Sequence, residues 1–340
     1  MPDLPTRPDL GQLRTQAKDL LRAAKAGEPY AVERMRRVSD TQTLTLAQLA
    51  LAREYGFASW AKLKVEVERR RILDDRDLSR LTALLAYSPE LATASMEHWC
   101  DHPRGAPPLS YVAMLRYDTS RLRWRNVTGT AEMAEALIAA DAPADGRPGD
   151  PEPPLVTAAS YGDAEVARVL TEAGADVDLR AGPDAGGVPG GTALVHAAVF
   201  GMTEVVDVLI GAGARVDGIE TAAAAGDITG WLTANTPLDS RIRALVMAAD
   251  HQRLAVIDQL VTTGTPVDAA DPEFGGHPLR TAAGNGRPAS VERLLQHGAD
   301  PNLGDAEGRT PLDLCREGRH TAADPQSYDQ VEAILEGVTC

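Results

Sequence analysis

Residues 191–217, GTALVHAAVFGMTEVVDVLIGAGARVD, carry the apolar pattern that much of the chain repeats. A short apolar segment, Ala193 to Val199, is broken by Gly201. A second runs from Thr203 to Ile210, with Val205, Val206, Val208, Leu209 and Ile210 as its apolar positions. Gly211-Ala212-Gly213-Ala214 stops it, and Val216-Asp217 leads outward. A short helix, a Gly turn, a longer helix and a Gly-Ala stop form a hairpin that cannot bury its apolar face alone, so copies are needed on both sides.

The copies are present. Pro154 to Ala159 with Gly162, then Ala164 to Leu170 and Ala173-Gly174-Ala175-Asp176, repeat the pattern. His277 to Ala283 with Gly286, then Val291 to Leu295 and Gly298-Ala299-Asp300, repeat it again. Thr310 to Cys315 opens a last unit that ends in a helix over Val331–Leu335. Equivalent small residues give the spacing: Ala158 to Ala197 is 39, Ala197 to Ala222 is 25, Ala222 to Ala248 is 26, Ala248 to Ala282 is 34, and Ala282 to Cys315 is 33. The Gly/Pro-rich extension Arg180–Gly190 accounts for the long interval. The two short intervals predict a fifth unit, Gly218 to about Asp239, with a trimmed finger and a shortened second helix, its place filled by Asp227–Leu232.

The front of the chain is different. Leu10, Leu13, Ala17, Leu20 and Leu21 share one helical face over Leu10–Lys25, and Gly27-Glu28-Pro29 ends that helix. Ala31–Val38, Thr45–Tyr55 and a helix begun near Trp60 behind the cap Ser59 complete a stretch with no repeat signature. Such a stretch suits an end cap on a stacked array. Asp77–Ala86 reads as the second helix of a first repeat and Glu132–Ala140 as that of a second. Two insertions border the second repeat: Ser95–Gly105 in place of a short finger, and Arg116–Thr128 in place of the Gly turn.

The units resemble the ankyrin repeat, whose pattern is a T-P-L-H-x-A-A helix, a Gly turn, a second helix and a G-A-D turn with a period of about 33 residues. The resemblance, to ankyrin-repeat proteins of a bacterial type with an N-terminal helical cap, covers roughly residues 70 to 336. It implies an all-α ankyrin-like solenoid, with a cap over 1–70 and about seven repeats over 71–340, irregular in 77–145 and 218–240. It also implies a protein partner as the usual occupant, with residues just before each Gly turn facing a concave groove. Those are Met114-Leu115, Ser160-Tyr161, Val199-Phe200, Ala224-Ala225, Asp250-His251 and Gly284-Asn285. Val195 stands where the family has its His, and His196 follows it.

Composition changes the picture in one respect. The 340 residues are 44% hydrophobic but only 4% aromatic, which suits thin stacked helices. A net charge of −15 argues against phosphate-backbone binding as the main activity, so no nucleic acid partner is expected. The basic clusters Arg34–Arg37 and Arg69–Arg71 read as solvated helix faces. Three cysteines, Cys100, Cys315 and Cys340, make no disulfide framework. No apolar run reaches the ~18 residues that a membrane span needs, and no apolar signal core opens the chain. A cytoplasmic protein with no cofactor is the expectation.

Chemistry-bearing residues collect in the insertions. His98, Cys100 and His102 alternate with Trp99 and Asp101, but no fourth ligand follows, so no metal site is expected. His98 or His102 beside Asp101 has the form of an oriented imidazole, Tyr111 or Tyr117 could donate a proton, and Arg104, Arg116 or Arg125 could hold a carboxylate or enolate. That set suits a cofactor-independent elimination, cyclisation or isomerisation of a small molecule. The leading expectation is instead recognition of a partner or ligand by the groove and the 95–125 insertions. Its candidate residues are Trp99, Arg104, Tyr117, Trp124, Arg125, Tyr161, His196, Phe200, Met247, His251 and Asn285. Loops and exposed aromatic anchors commonly carry such contacts.

Overall fold

The computed structural model describes residues 4–5, 8–96, 106–118, 121–150, 152–273 and 275–339. Among the described residues the regular elements are helices and one two-stranded hairpin, in the ankyrin-like solenoid architecture the repeats imply. Two compact units divide the chain: Met1–Val112 with Glu135–Ala142, and Ala113–Ala134 with Pro143–Cys340.

In the first unit, helices Leu10–Lys25, Pro29–Arg36, Leu44–Glu54, Trp60–Asp75 and Leu78–Tyr87 follow the sequence pattern closely. Asp9, Thr43, Ser59 and Asp77 cap four of them by accepting from the backbone N–H three residues on. Leu13, Leu20, Met35, Leu51 and Leu63 fill the core between them.

Arg69 and Arg70 correct the reading of a solvated face. Arg69 is only 3% exposed. Its guanidinium donates to Glu66 at 2.5 Å and to the carbonyls of Leu91, Ala94 and Ser95 at 3.2, 2.8 and 2.9 Å. Arg70 is buried beside the same carboxylate, 3.5 Å away. The segment after the next helix folds back and presents carbonyls that need donors, and the five N–H groups of an arginine supply them. Arg34 is partly buried as well, held by Glu54 through two bonds of 2.8 and 2.6 Å.

In the second unit, successive helix pairs are Pro154–Ser160 with Ala164–Glu172, Ala193–Val199 with Thr203–Gly211, Leu238–Asp250 with Leu254–Thr262, Pro278–Gly284 with Pro288–Gln296, and Pro311–Thr321 with Gln326–Thr339. In the later repeats the facing residues form one apolar layer that includes Leu245, Ile257, Leu279, Leu294, Cys315 and Leu335. The fingers are tied together in series. Asp145 accepts from the Asp176 backbone at 2.8 Å, Asp178 from Arg215 at 2.9 Å, and Asp268 from Asp300 at 3.1 Å.

Repeat five departs further than its length suggested. Ile219–Ala225 is its first helix, and no second helix follows among residues 226–237. Turns occupy that stretch, with Ile228 driven into the core. Repeats four and six therefore meet directly at their turn ends. His251 donates from Nε2 to the Ala198 carbonyl at 2.8 Å and accepts at Nδ1 from the Thr203 hydroxyl at 3.1 Å. Arg253 donates to the Ala224 carbonyl at 2.7 Å and to Asp207 at 2.5 Å. Arg287 of repeat seven reaches the Gly201 carbonyl at 2.5 Å.

Candidate functional site

The Arg116–Thr128 insertion folds as a hairpin, Tyr117–Asp118 paired antiparallel with Arg123–Trp124. Tyr117 sits directly opposite Trp124, and their rings meet edge to face at 5.0 Å. Tyr161, from the turn end of repeat three, joins them with its ring 6.3 Å from Tyr117. All three rings are partly exposed. An edge-to-face pair of this kind is favoured by about 0.5–1.5 kcal/mol beyond the area it buries. Leu122, on the solvent side of the hairpin, is 66% exposed. The strand Arg123–Trp124 comes within 8 Å, between Cα atoms, of the helix Pro311–Thr321.

Arginines fix the base of this surface. Arg125 donates from Nη2 to the Leu115 carbonyl at 2.5 Å, and its backbone N–H reaches the Arg116 carbonyl at 2.7 Å. Arg116 lies 3.4 Å from Asp163 and 3.7 Å from Glu165. Asp163 is fully buried, caps the following helix by accepting from Val166 at 3.1 Å, and lies 3.2 Å from the Thr130 hydroxyl. Burial raises the Asp163 carboxyl above its ordinary range, although Arg116 and both hydrogen bonds work against the shift. The sequence reading passed over Asp163, Thr130 and Glu165. The Gly-Asp that follows Tyr161 is a helix-start signal that marks Asp163 as a cap.

A second cluster lies under the 180–190 extension. His196 is buried, donating from Nε2 to the Val188 carbonyl at 2.9 Å, which leaves Nδ1 to accept from the Ser160 hydroxyl at 2.9 Å. Burial lowers its pKa and keeps the ring neutral. Phe200 packs edge to face on it at 6.0 Å and is 39% exposed. A Cβ on Gly187 would meet Phe200 at 3.0 Å, so the loop lies directly on this ring. The His tethers the loop, and the Phe is its support.

Other expected groove positions turn inward. Met114, Leu115, Ala224, Asp250 and His251 are buried, so these are not presented to a partner. The missing outer helix of repeat five explains His251: both ring nitrogens are used to join repeats four and six. Met247 is half-buried against the core. Asn285 is exposed but donates to Asp250 at 2.9 Å, and Arg287 holds the same oxygen at 3.2 Å. Tyr111 is buried, and its hydroxyl is bonded to the Asp74 carboxylate. His98, Trp99, Cys100, Asp101, His102 and Arg104 lie outside the described residues. Among the described residues no group of three His, Cys, Asp or Glu side chains could hold a metal ion, and no helix is long and apolar enough to cross a membrane.

Family models for ankyrin repeats match on both sides of the irregular fifth repeat. The model for three copies matches residues 126–219, and the model for many copies matches 260–315. Human ARF GTPase-activating protein GIT1 is 39% identical over 62 residues, which is 18% of this chain and 8% of that protein. Palmitoyltransferase AKR1 of Lachancea kluyveri is 36% identical over 74 residues, 22% of this chain and 10% of that protein. The human espin-like protein is 37% identical over 65 residues, 19% and 6% of the two chains. The matched segments thus span a tenth or less of these relatives. The solved human ASB11 ankyrin repeat domain aligns at 21% identity with a TM-score of 0.37, over 78% of this chain and 95% of that one. With repeat models matched on either side of repeat five, and helix–turn–helix units beneath both, this chain is an ankyrin-repeat protein.

Proposed function

We propose that this chain is a cytoplasmic recognition module that binds a protein partner through the hairpin surface of Tyr117, Trp124 and Tyr161. The observation that carries the reading is the aromatic cluster itself. Three rings from two repeats meet one another, on a hairpin whose base is bonded through Arg125 and Arg116, and remain partly open to solvent. A regular Gly turn would offer no such anchors. Aromatic and arginine side chains held in this way are the residue types that dominate binding energy at protein interfaces. Residues 1–70 act in this scheme as a helical cap and 71–340 as the array that carries the site.

Acid/base catalysis is the less supported reading. The Tyr111 hydroxyl is engaged by Asp74, and Asp163, the buried carboxyl beneath the hairpin, is taken up as a helix cap and by Arg116.

Peptide display on the purified protein tests the proposal. Selected binders are expected to lose at least about tenfold in affinity on a Tyr117→Ala/Trp124→Ala variant whose circular dichroism matches the parent, as truncating hot-spot aromatics does. Binders retained at full affinity by that variant would place recognition elsewhere.

A further inference from the structure

We infer that the hairpin surface takes an acidic peptide segment, one that presents carboxylates beside an apolar side chain. The inference rests on the reading that the hairpin is where recognition occurs, and it names the chemistry of the partner.

Charge is the first support. Residues 113–128 carry four arginines, Arg116, Arg121, Arg123 and Arg125, against a single acid, Asp118; with Asp163 and Glu165, which lie against Arg116, the local balance is still +1 in a chain of net charge −15. A cationic island on an anionic molecule attracts acidic segments to one place and repels them everywhere else. The arginines also differ in how they are used. Arg116 and Arg125 are committed to Asp163 and to the Leu115 carbonyl. Arg121 is mostly exposed and reaches Asp118 only at 3.6 Å. The Arg123 side chain is exposed and has no hydrogen bond or ion pair among the described residues. Arg123 is therefore unengaged, and Arg121 only loosely engaged, on the strand and turn that carry Trp124.

Backbone conformation is the second support. Leu122 stands between Arg121 and Arg123 at φ +50, a left-handed conformation that L side chains rarely adopt, and it buries little in return. Strain kept at an exposed apolar residue is a recurrent mark of binding loops. Leu122 and Trp124 give an apolar contact flanked by cations on either side.

Nearby acids do not cancel the island. The helix that approaches the strand carries Asp313, engaged by the Thr310 hydroxyl at 2.7 Å, and Glu317, engaged by Arg309 at 3.2 Å. Its last turn adds Arg319, held by Asp329 at 2.6 Å, and the exposed His320.

The test uses the full chain and three fluorescein-labelled probes: a short peptide of Glu, Gly and Ser with one Phe, its counterpart with every Glu replaced by Lys, and a poly(U) oligonucleotide. The acidic peptide is expected to bind at least about tenfold tighter than the lysine peptide, with affinity falling as salt rises. Arg123→Glu should reverse that order and Arg123→Lys should preserve it; the site of change is exposed, so folding is not at stake. Equal binding of the two peptides, or no response to Arg123→Glu, overturns the inference. So does tighter binding of poly(U) that Arg123→Glu abolishes, which would give the surface to nucleic acid. If the display-selected binders still depend on Tyr117 and Trp124 while no acidic preference is found, recognition at the hairpin stands and only the partner chemistry fails. If those binders ignore both rings, both readings fail.

Discussion

Arg287 donates to the carbonyl of Gly201, a residue 86 positions earlier, at 2.5 Å. The same guanidinium holds the buried carboxylate of Asp250 at 3.2 Å, so one side chain joins the turn ends of repeats four, six and seven. Arg287→Ala leaves Asp250 with Asn285 alone. Breaking a buried pair by removing one partner costs about 3–5 kcal/mol, and the remaining amide bond puts this case at the lower end. Urea unfolding should show that loss, and adding Asp250→Ala should recover part of it, because the two changes remove a shared interaction. Strict additivity would show that the pair is not coupled.

Gly201 and Gly213 give a matched comparison. Both have left-handed φ, at +68 and +86. A Cβ at Gly201 would lie 2.6 Å from Asp250 Oδ2, whereas one at Gly213 meets nothing within 4 Å. Gly213→Ala should cost only the conformational penalty of about 1–2 kcal/mol. Gly201→Ala must also displace the carboxylate that Arg287 holds, so its melting temperature should fall further. Equal shifts in the two variants would mean that the turn end yields without loss.

Stability should weaken in mild acid. Burial pulls His196 and His251 below the usual imidazole range, so the folded chain keeps both rings neutral where the unfolded chain protonates them. Between the folded and unfolded pKa values the unfolded state binds more protons, and ΔG of unfolding rises with pH. The contribution is complete above the unfolded value of about 6.5 and is lost as pH falls toward the folded value. Urea midpoints from pH 7.5 downward should therefore decline, and His251→Gln, which can keep one of the two bonds, should flatten the decline. An unchanged slope in that variant would move the effect to other groups.

Cys315 is fully buried and its thiol is pushed up to about 11, chiefly by burial. Since the thiolate is the reactive form, folded protein carrying Cys100→Ser and Cys340→Ser should resist alkylation at neutral pH. The same protein in denaturant should react promptly. Rapid labelling without denaturant would show that the last repeat opens readily.

The repeat units were legible because Gly turns, Gly-Ala stops and small residues at fixed spacing are local signals. What stayed hidden depends on distant partners. Arg69 and Arg70 look like a solvated cluster until the carbonyls of Leu91, Ala94 and Ser95 fold over them. His251 looks like a groove residue until repeat five proves to lack its outer helix, a loss the 25- and 26-residue spacings only partly announced. At the candidate site the rings Tyr117, Trp124 and Tyr161 could be singled out by type. Their convergence could not, because a hairpin in place of a Gly turn leaves no periodic trace, and Asp163 beneath them reads as an ordinary cap.

Arrays of this kind usually behave as a line of links, each coupled only to the next, so that melting can creep inward from an end. The turn-end contacts across repeat five break that rule. His251, Arg253 and Arg287 fasten the fourth link to the sixth and seventh, past the fifth. The stretch from 193 to 296 cannot then come apart one link at a time. It should melt as a single cooperative block, and its amide protons should share one exchange free energy while those of the last repeat exchange earlier.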